Sequence, residues 1–190
     1  MKLPFDLDLK GKVCVVTGGG GVLCGMFAEA LAKCGGKVCV LDLREEAANA
    51  VAEKIVAEGG IAKGYAANVL KTDDMKAVRE KILADFGTCD ILINGAGGNN
   101  PKGTTTHEYM TEEDLAANSE IVTFFDLDPE GIEFVFNLNF LGTLIPTQVF
   151  ARDMAEKKNG IVINVSSMNA FRPLTKIPAY SGAKAAISNF

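Results

Sequence analysis

KVCVVT at residues 12–17 runs straight into Gly18-Gly19-Gly20-Gly21, and VLCGMFAEALAKC follows at residues 22–34. The first six residues are short, apolar and β-branched, which is the pattern of a buried strand. Residues 22–34 have helical character. Strand, glycine turn and helix in immediate succession are the setting in which a glycine run binds a dinucleotide. Glycine lets the backbone approach a pyrophosphate, and the start of a helix offers it free N–H groups. Gly18, Gly20, Gly21, Val22 and Leu23 are the candidates for that contact. In other surroundings four glycines make only a flexible turn.

Working outward, Gly36 closes the helix as a C-terminal glycine should. Residues 37–41 form a second strand, and Asp42 ends it, with Leu43 next. A carboxylate there hydrogen-bonds adenosine ribose hydroxyls and repels a 2′-phosphate, so NAD is favoured over NADP. Arg44 is the opposing signal, since it offers a phosphate partner. Residues 44–58 carry apolar positions at helical spacing, Gly59-Gly60 stops them, and residues 61–67 read as a third strand. Asn68 and Val69 follow it, and Asn68 offers a side-chain acceptor for a hydrogen bond. Residues 72–86 make another amphipathic helix and residues 90–94, DILIN, a fourth strand. Asn94, Gly95, Ala96 and Gly97 then give the cofactor a small-residue surface at the strand end. Repeated strand–helix alternation implies a doubly wound parallel α/β sheet with right-handed crossovers, in the order 3-2-1-4-5.

Residues 98–131 form a long connection leaving the sheet edge where substrate sits, so they read as a substrate-side wall or lid. A helix is expected over residues 111–118. Residues 133–157 read as one long helix, apolar nearly all round and bent near Pro146. Asn137, Asn139, Thr143, Thr147 and Gln148 interrupt it, which favours a buried helix over a membrane span. Its breadth of apolar surface points to a homo-oligomer, dimer or tetramer. Residues 160–165 form a fifth strand that delivers Ser167.

Tyr180 and Lys184 lie four apart in a helix-forming stretch, so both side chains leave one face. A cation beside a phenol favours the phenolate. Bringing an ordinary tyrosine to near neutrality takes about 4 kcal/mol. One close charge in a partly dry site supplies much of it. Such a phenol moves a proton to or from a substrate oxygen, and a nearby serine hydroxyl holds that oxygen.

Composition narrows the alternatives. The 190 residues are 48% hydrophobic and 23% charged, enough for one domain over residues 1–190. A net charge of −5 argues against a nucleic-acid partner. No leader or spanning segment is visible at the start. Cys14, Cys24, Cys34, Cys39 and Cys89 lack metal-ligand spacing and read as core thiols in a reducing, cytoplasmic setting. His107 is the single histidine, so a metal site has little to build on.

Taken together, these motifs resemble the short-chain dehydrogenase/reductase family. The resemblance implies that Asn139, Ser167, Tyr180 and Lys184 form the catalytic group, with Tyr180 and Lys184 also touching the cofactor. The match is irregular. Where the family shows Thr-Gly-x-x-x-Gly-x-Gly, Thr17 and Gly18 agree, but Val22 and Cys24 hold the later glycine places. Asn68 stands where the family has aspartate, and Asn94-Gly95-Ala96-Gly97 where it has Asn-Asn-Ala-Gly. The segments TGGGGVLCG, FFDLDPEG, VFNLNFLGTLIPTQVF and SSMNAFRPLTKIPAYS look like the D-mannonate oxidoreductase (fructuronate reductase) branch. That implies a sugar-acid substrate, and Arg172 and Lys176 would suit its charge. By the same resemblance the chain reads as C-terminally incomplete, lacking two later strands. Two other readings stay open: a sugar-nucleotide epimerase or dehydratase, whose glycine pattern Thr17-Gly18-x-x-Gly21 also fits, and a non-catalytic cofactor-binding module.

Overall fold

The computed structural model describes residues 7–116 and 120–190. The strands are β1 (Val13–Thr17), β2 (Lys37–Asp42), β3 (Ile61–Ala66), β4 (Ile91–Asn94) and β5 (Ile161–Asn164). The helices are α1 (Val22–Lys33), α2 (Glu45–Ala57), α3 (Thr72–Asp85), α4 (Pro129–Phe136), α5 (Gly142–Lys157) and α6 (Pro178–Asn189). The chain divides into two compact units. One takes the residues up to Ala96 with Gly142–Val165, the other Gly97–Leu141 with Ser166–Phe190.

The first unit holds the whole sheet, parallel throughout and in the expected order β3-β2-β1-β4-β5. Thr17 at the end of β1 pairs with Leu41 on one side and Asn94 on the other, and Asn94 pairs with Asn164. The C-terminal ends of the three central strands therefore finish level, and the turns after them share one edge. The central strands are buried because helices cover both faces. Cys14, Val16, Val38, Val40, Ile91 and Ile93 pack under α1 and α2, whose facing residues include Cys24, Ala28, Ala32, Ala48 and Ala52. Each larger apolar side chain so buried contributes roughly 1.5–3 kcal/mol. Small residues on the two helices leave room for the branched ones on the strands. On α3, Met75, Val78 and Ile82 are buried, and on α5, Val149, Phe150 and Met154. β5 pairs with β4 alone, and its Ile161, Val162 and Ile163 are exposed.

Buried thiols behave as the sequence suggested. Burial pushes Cys14 and Cys89 up to about 12 and Cys39 higher still, so none is a thiolate at neutral pH. All five cysteines are free.

Three local expectations change. First, α1 is closed by Gly35 in the left-handed region at φ 90°, with the Gly36 N–H donating to Leu31 O at 3.1 Å; Gly36 is the residue after the turn. Second, the helix expected over residues 111–118 is a single 3-10 turn, Glu113–Leu115; residues 117 and 118 lie outside the described residues. The stretch has no apolar stripe to bury, and Asp114 spends its carboxylate on the Thr111 N–H. Third, the long helix begins earlier, at Pro129, and is not uniform. Asp128 caps it by accepting from Glu130 N at 2.9 Å, and proline suits the first helical position. Its turn Asn137–Leu141 is π-helical, ahead of Pro146 instead of beyond it. Proline has no N–H to return to the preceding turn. The run Pro129–Lys157 has the length and mean hydropathy (1.3) of a membrane span. Its buried Asn139 and Asp153 mark it as a core helix.

Asp153 on α5 accepts from Arg79 of α3 through both oxygens, at 2.6 and 3.2 Å, and is 7% exposed. Asp153→Ala leaves the guanidinium beside α5 with Glu80 as its remaining partner. Because Arg79 keeps some solvent contact, the expected loss sits near the low end for a broken buried pair, about 3 kcal/mol. Urea denaturation measures it; a loss below about 1 kcal/mol, the size of a surface pair, would contradict this account.

Candidate active site

In the first unit the glycine turn is built by backbone contacts at close range. Gly18 has φ 64°, and a β-carbon there would lie 2.9 Å from the Ala96 backbone. Only glycine serves on both counts. Thr17 Oγ1 accepts from the N–H groups of Gly95 and Ala96 at 3.1 and 3.2 Å, clamping the turn after β4 to the end of β1. Gly19 N donates to Leu41 O, Gly20 N to Asp42 Oδ2 and Gly21 N to Gly18 O. The loop's own amides are thus spent internally. Gly21 caps α1 without a side chain, so the opening amides of Val22 and Leu23 are those a helix leaves unpaired for an anion.

Asp42 lies at the end of β2, mostly buried. Its Oδ2 accepts from Gly20 N at 3.1 Å and its Oδ1 from Arg44 N at 3.0 Å. Backbone therefore holds the carboxylate at the edge of the glycine turn. The Arg44 side chain is 74% exposed, and its Nε stands 4.0 Å from Asp42. Leu43 is exposed beside it. Asn68 Oδ1 accepts from Leu70 N at 3.0 Å, and Val69 is buried against Gly142. The Asn94 side chain points elsewhere: its Nδ2 donates to Thr147 Oγ1 and Asn164 Oδ1 at 2.8 and 2.9 Å. That amide ties β4 to α5 and β5, and the Asn94 carbonyl accepts from Val165 N at 2.9 Å.

The second unit gathers the acid–base candidates. Tyr180 stands in the first turn of α6 and Lys184 one turn on, with the Lys184 Nζ 5.6 Å from the ring centroid. Lys184 is 5% exposed. Asn139, fully buried in the π turn, donates through Nδ2 to Gly98 O and Val135 O, each at 2.7 Å, and accepts from Gly98 N at 3.3 Å. Gly97 sits between the two side chains. A β-carbon on it would lie 2.7 Å from Asn139 Oδ1 and 3.3 Å from Lys184 Nζ. Asn139, Gly97, Lys184 and Tyr180 therefore form one cluster.

Ser167 follows β5. Its hydroxyl caps the 3-10 turn Met168–Ala170, accepting from Asn169 N at 3.2 Å. It is Ser166 that reaches α6, donating to Lys184 O at 3.1 Å and meeting Ser188 Oγ at 2.5 Å. Arg172 is exposed and Lys176 half-buried. Among the described residues no His, Cys, Asp and Glu cluster suits a metal ion.

Residues 12–190 match the short chain dehydrogenase family model. The chain belongs to the short chain dehydrogenase family. An uncharacterised oxidoreductase of Haemophilus influenzae is 58% identical over all 190 residues, which cover 66% of that protein. The uncharacterised oxidoreductase UxuB of Bacillus subtilis is 44% identical over 188 residues, 99% of this chain and again 66% of the relative. A solved Haemophilus structure, provisionally named a D-mannonate oxidoreductase and holding NAD, superposes with a TM-score of 0.92 at 59% identity, over 97% of this chain and 65% of that one. The chain thus spans just under two thirds of these relatives.

Two departures from the short-chain dehydrogenase motifs explain each other. Cys24 holds a glycine place in the first turn of α1, and Gly95 replaces an asparagine after β4. A β-carbon on Gly95 would collide with Cys24 Sγ. The thiol fills the volume that the Gly95 side chain gives up, so the bulk has moved from one loop to the other. Sequence reading saw both departures but had no means to place them in contact. It also missed the Thr17 clamp, for which a hydroxyl at the end of a central strand was the only signal.

This pairing is tested by a double-mutant cycle on thermal or urea stability. Gly95→Asn alone overpacks the turn and costs about 1–3 kcal/mol. Cys24→Gly alone adds a helix glycine and a void, costing roughly 1–2 kcal/mol. Combined, they lose at least about 1 kcal/mol less than the sum; strict additivity would show that the two sites do not share the space.

Proposed function

We propose that the protein catalyses NAD-linked interconversion of a secondary alcohol and a ketone, with a sugar acid of the D-mannonate/D-fructuronate type as substrate. The observation that carries this reading is the buried Lys184 beside Tyr180, with Asn139 and Gly97 packed around it. The residues fit the cofactor: a glycine turn with its first helical amides unspent, and a carboxylate held at that turn by two backbone N–H groups. When bound, NAD supplies the hydride acceptor.

The rest is done by side chains. Tyr180 takes the proton from the substrate hydroxyl, or returns it to the carbonyl in reduction. Lys184 stabilises the phenolate and holds the nicotinamide ribose. Asn139 fixes the Gly98 backbone through two hydrogen bonds and so supports the relay leading from Lys184. Ser167 positions the substrate oxygen; its hydroxyl accepts only from its own turn and keeps its proton to donate. Residues 98–131 supply the substrate wall, and the NAD held by the Haemophilus relative and its D-mannonate name support cofactor and substrate. The same reading takes the protein as a cytoplasmic homo-oligomer, dimer or tetramer, with the exposed Phe134 and Phe136 available for contact.

An NADH-oxidation screen of the intact protein against keto-sugar acids, with fructuronate first, tests the reaction. Tyr180→Phe is expected to lower turnover by at least about a hundredfold, within the range for a lost general acid, with NADH affinity held; retained turnover would reject the mechanism. Asp42 governs cofactor choice. A carboxylate about 5 Å from a 2′-phosphate costs on the order of 3 kcal/mol, or two decades of preference. Asp42→Asn keeps an acceptor for the loop and removes the charge, so the NADH/NADPH ratio of kcat/KM narrows by about one to two decades. An unchanged ratio would count against the assignment.

A further inference from the structure

The one histidine of the chain lies inside the long connection, its side chain half exposed, on the wall of an open pocket of about 100 Å³ within the second unit. Thr105, His107, Met110, Asp114, Val122 and Thr175 are among its lining residues. The pair at its centre is held from several sides. Asp114, its side chain 8% exposed, accepts from Thr111 N at 2.9 Å and lies 3.2 Å from His107 Nδ1. Those contacts, the Thr111 N–H first, hold the Asp114 carboxyl below the usual range, so it is ionised and only accepts. The proton between them therefore resides on Nδ1. Thr105 Oγ1 donates to His107 O at 2.9 Å and fixes the backbone under the ring. No other partner engages the imidazole among the described residues. The Nε2 edge is left to a ligand.

The cavity is tied to the acid–base segment. Thr105 N donates to Lys176 O at 3.0 Å, and Thr175 lines the wall, five residues before Tyr180. The pocket is open on one side and takes a small polar group such as a terminal CH(OH)–CH2OH. Apolar Met110 and Val122 face the carbon chain, and threonines and the imidazole offer polar partners. We infer that His107, oriented by Asp114, is a specificity-determining residue whose Nε2 edge hydrogen-bonds a hydroxyl at the far end of an acyclic polyol substrate. The inference rests on the proposed dehydrogenase reading and adds to it which part of the substrate the long connection recognises.

The test uses the intact protein labelled at histidine Cε1, with His107→Asn assigning the resonance. Asparagine keeps a donor in the Nδ1 place for Asp114 and removes the Nε2 edge. D-mannonate, xylitol and succinate are titrated separately. D-mannonate shifts the His107 signal, and succinate, which carries no hydroxyl, does not. A xylitol shift as well shows that the hydroxyl tail suffices; its absence shows that the carboxylate is also needed. In His107→Asn the KM for D-mannonate rises about tenfold, the size of one lost hydrogen bond, with kcat, NAD affinity and thermal midpoint held. No shift with D-mannonate, an equal shift with succinate, or an unchanged KM would overturn the inference. Absence of turnover in the unaltered protein would instead overturn the dehydrogenase reading, and the resonance would still decide the role of His107.

Discussion

A buried ammonium is the most demanding feature of the second unit. An isolated charge removed from water costs several kcal/mol unless polar groups replace its hydration. Lys184, 5% exposed, is accommodated by absence of bulk as much as by partners. Gly97 gives up a side chain where one would press on both Lys184 Nζ and Asn139 Oδ1. The run Ser181-Gly182-Ala183 keeps α6 slim between Tyr180 and Lys184, and Ala179 and Ala183 pack against Val135 of α4. The π turn belongs to the same solution. It carries Asn139 on a widened stretch of helix, where its amide bonds Val135 O on its own helix and Gly98 O on the incoming loop. A regular α-turn has less freedom to do both, and such bulges recur at functional sites.

The first unit solves a different problem, bringing backbones together. Gly18 lies against Ala96, and the Thr17 hydroxyl supplies the acceptor that two consecutive turn amides need. Buried or half-buried N–H groups without partners cost free energy comparable to a lost hydrogen bond. One threonine at the end of β1 thus stabilises the turn after β4. This explains how an irregular glycine pattern still yields a tight loop: the contacts that define it are between backbones, and side-chain volume is exchanged across them at Cys24 and Gly95.

What was legible in the sequence follows from range. Strand order and sheet type were readable because apolar runs, glycine stops and helical spacing are local signals joined by a handedness rule. Tyr180 and Lys184 were readable because four residues along a helix make one turn. Asn139 was readable only through resemblance, and its π turn was invisible because it depends on contacts with Val135 and Gly98. The start of α4 was missed although Asp128-Pro129 announced it, since attention followed the apolar run. The direction of the Asn94 side chain was not readable, because a residue at a strand end has two faces open to it, and only the positions of Thr147 and Asn164 show which one its amide takes. Ser166 and Ser167 are neighbours with opposite directions, and no spacing rule tells which reaches α6.

The partition of the chain has a mechanistic sense. Every acid–base candidate lies in the second unit, and every nucleotide candidate that is not also one of these, Gly97 apart, lies in the first. The long connection is in the second unit too, tied to it at Gly98 by Asn139 and at Thr105 by Lys176 O. Change in that connection therefore alters the surroundings of Tyr180 without touching the hydrogen bonds that hold Asp42 and the glycine turn. The hydrogen bonds that hold Asp42 and the glycine turn lie within the first unit, and those that hold Asn139 and Gly98 lie within the second, so each set of contacts is a local solution.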